Sequence, residues 1–275
     1  MRQDVIMLPA QTDAPWWHRD FAELLMSGQS VDLTRAAYLL SAHRSSLVKD
    51  SDALEARLAM LEALADGCDS SFDAWQRRLF VEYGLTGNGT EYHDVRNSFV
   101  PDVVERRVGI PISLAVIGLD LAKRIGLRMW GISFPGHFLL GTNNAARPFV
   151  DPFNGGAVLT LDDCGDLHER MFGNRTIDPN SLAPATNEQI LFRMLMNLKA
   201  NYARARDLEG LTAIMRMRSA LPDLPFDEGR ELVRLLDATG NWSEAVTTLR
   251  LLRLHFPMHD EVVDAEEARL AARLN

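Results

Sequence analysis

Three residues of the types that attack carbonyls and shuttle protons stand in order along the chain: Ser113, His137 and Asp151. A serine hydroxyl is a weak nucleophile until a base takes its proton, and an imidazole serves best when a carboxylate fixes its tautomer. Ser113 follows Gly109-Ile110-Pro111, where a proline suits a first helical turn. The pattern therefore sets the hydroxyl at a helix N-terminus, among unpaired N–H groups that stabilise negative charge. His137 is predicted to open a strand and Asp151 to close the next one, so that imidazole and carboxylate can align side by side. The candidate catalytic set is Ser113 as nucleophile, His137 as base and Asp151 as orienting acid, with Asn97 upstream as an oxyanion donor.

The same residues have plainer uses. A serine in a first turn satisfies a helix-start N–H, a histidine can sit in a core, Asp151-Pro152 can open a turn, and Asn97 can cap the chain before Ser98. Spacing alone leaves both readings open. Metal chemistry is weaker still. Cys164 and His168 are four apart, as are His255 and His259. Pro257 interrupts the second pair, and neither pair has the further ligands a zinc ion needs. No metal and no cofactor is expected.

The elements that must position these residues can be read from period and punctuation. Ile112, Leu114, Ala115, Val116, Ile117, Leu119, Leu121 and Ala122 leave little polar face between Pro111 and Gly126, which predicts a central, buried helix ended by a glycine cap. Strand-like segments follow at Met129 to Phe134, His137 to Leu140 and Phe149 to Val150, separated by Pro-Gly, Asn-Asn and Asn-Gly-Gly turn signals. A helix followed by a block of strands implies an α+β arrangement, a central helix on an antiparallel sheet. Upstream, Trp16 to about Gly67 carries helical spacing, and a further helix from Phe72 to Tyr83 runs into the glycine-rich stretch Gly84 to Gly89. The first fifteen residues show no sustained period.

Downstream, Asp178 to Thr186 reads as an interdomain linker, and Thr186 with Gln189 forms a capping-box pattern. Helices are predicted over Leu191 to Ala205, Leu208 to Ala220, Phe226 to Ala238 and Trp242 to His255. Helices of this length joined by short loops suggest stacked hairpins of tetratricopeptide character.

The bulk numbers exclude several classes. With 47% hydrophobic and 24% charged residues the composition is that of a packed globular protein. The net charge of −9, from 38 acidic and 29 basic side chains, opposes a nucleic-acid partner. No apolar run approaches the ~20 residues of a membrane span, and no secretory segment is evident. A cytoplasmic protein is expected, with Cys68 and Cys164 reduced and structural.

Five segments in order resemble the SirB-type transglutaminase-like family: Arg96-Asn97-Ser98-Phe99; Val104 to Arg107; Gly109-Ile110-Pro111-Ile112-Ser113-Leu114; Phe134-Pro135-Gly136-His137-Phe138-Leu139; and Val150-Asp151-Pro152-Phe153-Asn154-Gly155-Gly156. Arg193-Met194-Leu195 and Asn197-Leu198-Lys199 resemble that family's passage into its tetratricopeptide-like tail. The resemblance implies a papain/transglutaminase-like core at residues 35–184, after an N-terminal leader and helix at 1–34 and before a helical domain at 185–275. It sets Ser113 where the related thiol enzymes carry cysteine, His137 at their histidine and Asp151 at their acid. A thiol near pKa ~8.5 is readily ionised beside a histidine, whereas a hydroxyl is not. Two functions follow from the exchange: a pseudoenzyme that binds a protein or peptide partner in a regulatory role, or a serine-dependent, protease-like hydrolase or acyltransferase acting on amide or ester bonds.

Overall fold

The computed structural model describes Leu8 and residues 14–274. They form two compact units, one of residues 32–194 and one in which Leu195 onward joins the described residues up to Val31. No described helix is long and apolar enough to cross a membrane.

Residues 32–194 begin with three helical segments, α2 (Leu33–Ser41), α3 (Ser51–Glu62) and α4 (Phe72–Gln76), numbered after α1 (Trp16–Met26) of the other unit. Asp32, Asp50 and Ser71 each accept a backbone N–H from the third residue of the helix that follows, which satisfies donors the first turn leaves unpaired. A wide π-type turn carries α4 on through Glu82. Next come β1 (Thr86–Gly87), α5 (Val100–Arg106), β2 (Val108–Gly109) and α6 (Pro111–Ile125). β1 and β2 pair in parallel, Thr86 with Val108 and Gly87 with Gly109.

Helix α6 is the centre of this unit. Pro111 through Gly118 are all buried, as are Asp120, Leu121 and Ala122, as its apolar circumference predicts. Gly126 ends it at φ 74°, a left-handed conformation that favours glycine. The helix packs on the first two strands of an antiparallel sheet ordered β3 (Met129–Ile132), β4 (Leu139–Thr142), β5 (Phe149–Asp151) and β6 (Ala157–Leu159). Gly118 lets that packing close: a Cβ there would meet Trp75 at 3.0 Å and Leu140 at 3.1 Å, and the Trp75 indole N–H donates to the Gly118 carbonyl at 2.9 Å. A buried polar stitch, Thr34 Oγ1 to Asp120 Oδ1 at 2.8 Å with Arg124 Nε on Asp120 Oδ2 at 2.6 Å, joins α2 to α6.

Several local expectations change. His137 does not open a strand; it closes the turn Phe134-Pro135-Gly136-His137 with its N–H on the Phe134 carbonyl, and β4 starts two residues later. Strand β6 and α7 (Leu161–Phe172) were not anticipated, because three residues carry no readable alternation and α7 has an acidic, low-hydropathy outer face around Cys164 and Leu167. The supposed linker belongs to the sheet: Ala185 donates to the Gly131 carbonyl at 2.8 Å and Pro184 bridges Ile132 along the outer side of β3. The capping box at Thr186 and Gln189 forms, and it starts α8 (Asn187–Ala205) four residues before the apolar period becomes clear.

In the other unit, α9 (Leu208–Ser219), α10 (Phe226–Ala238), α11 (Trp242–His255) and α12 (Asp260–Leu274) pack each on the next. Met215, Leu232, Val233, Leu236, Leu249 and Leu252 form their shared core. Helix α12 lies beyond the last helix expected from the sequence.

Helix α1 packs on α9 and buries His18. Burial, and then the neighbouring Arg216 cation, push the imidazole pKa down to about 4. A folded-state pKa below the unfolded value means that the unfolded chain takes up a proton which the folded chain refuses. Stability is therefore expected to fall as pH drops from about 6.5 towards 4, by up to roughly 1.4 kcal/mol per pH unit. Urea melts at pH 7 and pH 5 check this. His18→Phe should lose less stability on acidification than wild type, and equal losses would refute a neutral buried ring.

Candidate functional site

Ser113 is the third residue of α6, and Ile110, with extended φ and ψ of −97° and 165°, is the residue preceding its first turn. The Ser113 hydroxyl is fully enclosed at 0% exposure. It accepts the Ile110 N–H at 3.1 Å and donates to the Asn97 carbonyl at 2.6 Å, with the Ile110 carbonyl also within reach at 3.0 Å. Gly109 makes this possible, since a Cβ there would lie 2.8 Å from both the Ser113 Oγ and a Val103 methyl. The serine thus ties the start of α6 to the short 3₁₀ turn Val95–Ser98 that carries Asn97.

Asn97 is equally committed. Its side-chain amide donates to the carbonyls of Glu91 (2.7 Å) and Tyr92 (3.3 Å), and its Oδ1 accepts from Asn88 at 3.1 Å. Both amide hydrogens hold the 88–92 loop rather than pointing at an incoming oxyanion.

His137 and Asp151 are brought together. His137 Nε2 lies 2.8 Å from Asp151 Oδ1, at 7% and 2% side-chain exposure. The same carboxylate accepts the Phe153 N–H at 2.9 Å and the Asn154 amide at 2.6 Å. Burial alone would raise the Asp151 pKa, but the His137 hydrogen bond and charge, with the Asn154 and Phe153 donors, hold it below the ordinary carboxylate value. An ionised Asp151 requires a proton on Nε2, and in the neutral ring that leaves Nδ1 as an acceptor. Phe153 meets the imidazole edge-on at 6.0 Å and Tyr92 at 5.9 Å. Gly87 seats Phe153: it donates to the Phe153 carbonyl at 3.1 Å, and a Cβ on it would come within 2.5 Å of the ring. Among the described residues, then, the structure links His137 to Asp151, while the Ser113 hydroxyl is bonded to main chain.

A family model described as the transglutaminase-like superfamily matches residues 42–196, which includes the whole of this arrangement. The chain belongs to that superfamily. A UPF0162 protein of Xylella fastidiosa (strain Temecula1) is 36% identical over 197 residues, 68% of this chain and 69% of that protein. A UPF0162 protein of Vibrio cholerae is 32% identical over 183 residues, 63% of this chain and 64% of the relative. A shorter likeness reaches human F-box only protein 21, 32% identical over 101 residues, 34% of this chain but 16% of that protein. No solved structure matches significantly.

In this transglutaminase-like chain the nearer of the two thiols offers no substitute nucleophile. Cys164 is fully buried, and burial, then the charges of Asp163 and Asp151, push its pKa up to about 12. Its sequence neighbour His168 bonds the Asn174 carbonyl through Nδ1 at 2.7 Å. His255 bonds the Leu251 carbonyl, and His259 stacks on Phe226 at 3.9 Å. Among the described residues no group of three or more His, Cys, Asp or Glu side chains is placed to hold a metal ion.

One residue of the site carries more geometry than its sequence signal indicated. Arg193, on α8, donates through Nη1 to Ser133 Oγ (2.9 Å) and the Phe134 carbonyl (2.8 Å), and through Nη2 to the His137 carbonyl (2.7 Å). It fixes both ends of the turn that presents the imidazole. The available signal was an arginine between Leu191 and Met194, both of which are buried.

Proposed function

We propose that this chain is a non-catalytic member of the transglutaminase-like superfamily, a module that binds a protein or peptide at the His137–Asp151 face. The observation that carries the reading is the Ser113 hydroxyl, buried and donating to the Asn97 carbonyl at 2.6 Å. A nucleophile must pass its proton to a base as it attacks, and an amide carbonyl is not such a base. Serine at this position works as a structural latch. The SirB-type resemblance and a tetratricopeptide-like reading of α9 to α12 fit a binding role, because stacked helices offer extended surfaces to polypeptides.

The second reading, a serine-dependent hydrolase or acyltransferase, draws on the His137–Asp151 pair, whose tautomer leaves Nδ1 as a base. A fluorophosphonate probe separates the two. We expect no labelling of the folded wild-type chain. Labelling that disappears in Ser113→Ala and His137→Ala, with both variants still folded, would establish an activated serine and replace the binding reading with the catalytic one.

A further inference from the structure

Arg193 differs from three other enclosed arginines among the described residues. Arg216 holds Glu244, Arg218 holds Glu228 and Arg230 holds Glu266, as expected where a cation leaves water. Arg193 is partly buried yet has no carboxylate partner among the described residues. Three of its five N–H groups go to Ser133 Oγ and the carbonyls of Phe134 and His137, which are neutral acceptors. Nε–H and one Nη2–H remain. The neighbouring phenol is Tyr92, a residue 40% exposed, which stays neutral because burial raises its pKa more than the Arg193 charge lowers it. Tyr92, Phe153 and His137 stand in an edge-to-face row, so the guanidinium lies beside an accessible aromatic shelf that leads to the Nδ1 acceptor.

Among the described residues, a guanidinium with two donors to spare and no carboxylate partner, with a phenol near enough to feel its charge, is a donor set that suits a carboxylate, because its planar fork pairs with two oxygens at once. Resting on the binding reading above, we propose that Arg193 and Tyr92 form the anchor for a carboxylate of a bound peptide, with a peptide N–H taken by His137 Nδ1 and the chain lying along the Phe153 and Tyr92 rings. The net charge of −9 would repel an acidic ligand at long range. The attraction is thus local to this face, where a partly buried cation lacks a carboxylate partner among the described residues.

The carboxylate can come from an acidic side chain or from a chain terminus, and three probes distinguish them: acetyl-Gly-Glu-Gly-amide, acetyl-Gly-Gln-Gly-amide and acetyl-Gly-Gln-Gly with a free carboxylate. Each is titrated into the full ¹⁵N-labelled chain, following the Arg193 Nε–H, Tyr92 and His137 signals. At least one carboxylate probe is expected to shift these signals saturably and to bind about tenfold or more tighter than the neutral amide. Raising salt from about 0.05 to about 0.5 M should weaken it. Tyr92→Phe, which keeps the ring and leaves the Arg193 clamp intact, and Arg193→Lys, which keeps the charge but loses the fork, should each weaken the carboxylate probe more than the neutral one, so that the preference between the two narrows.

Equal binding of acidic and neutral probes overturns the carboxylate anchor while leaving a peptide-binding module in place. Shifts confined to other parts of the chain, or none with any probe, also overturn it. Fluorophosphonate labelling of Ser113 would instead remove the non-catalytic reading, so failure of the two ideas is seen in different experiments.

Discussion

Asp151→Ala is expected to destabilise the chain by about 3–5 kcal/mol, because it strands one buried and two partly buried donors at about 1–3 kcal/mol each. The carboxylate, 2% exposed, holds His137 Nε2, the Phe153 N–H and the Asn154 amide, and alanine leaves all of these without an acceptor. Urea unfolding followed by circular dichroism gives the value. The loss should also depend on pH in a defined direction. Because the folded-state pKa of Asp151 lies below its ordinary value, its ionic stabilisation is present above about pH 4 and fades as pH falls through the lower folded value. The gap between wild type and Asp151→Ala should therefore be widest near neutrality and shrink in acid. A loss below about 1 kcal/mol would mean that the carboxylate is better hydrated than its 2% exposure indicates.

Ser113→Ala is the second large effect and the more informative about evolution of the site. It removes the hydroxyl that accepts the Ile110 N–H and donates to the Asn97 carbonyl, leaving those buried main-chain groups only their long direct bond of 3.4 Å, at a cost of about 1–3 kcal/mol. A catalytic serine shows the opposite pattern, since its removal costs activity with little stability. Ser113→Cys refines the test. The thiol is a weak donor and larger than the hydroxyl, and the position is closed by Gly109 and Val103. We expect this variant to be destabilised too, with the added thiol reacting with Ellman's reagent only on unfolding. Rapid reaction in the folded chain would show that the pocket opens and would restore the case for chemistry.

Much of this was legible from residues. Gly126 as a left-handed cap, Pro111 in the first turn of α6, and the apolar circumference between them follow from φ restrictions and periodicity, and the helix lies where they put it. Asp151 and His137 meet because they end adjacent segments of a meander, which turn signals reveal. The fate of the Ser113 proton was not readable, because it depends on Asn97, sixteen residues upstream, whose carbonyl approaches only once the 88–97 loop has folded against Gly109. Arg193 was hidden for the same reason. Its three acceptors lie some sixty residues earlier, and no local pattern distinguishes a clamped arginine from a solvated one. β6 and the pairing at Pro184 escaped because so short a strand and a proline-bearing segment resemble loop.

That pairing has a further meaning. The segment thought to be a linker occupies the outer side of β3, where Ala185 fills a main-chain acceptor and Pro184 presents no N–H of its own. A free sheet border is a template on which another copy of a chain can add a strand, and proline there offers nothing to extend the ladder. The opposite border, β6, is only three residues long. The sheet that carries Asp151, with His137 in the turn before β4, thus ends on one side in a blocked strand and on the other in a very short one, a design that guards the molecule against edge-to-edge aggregation.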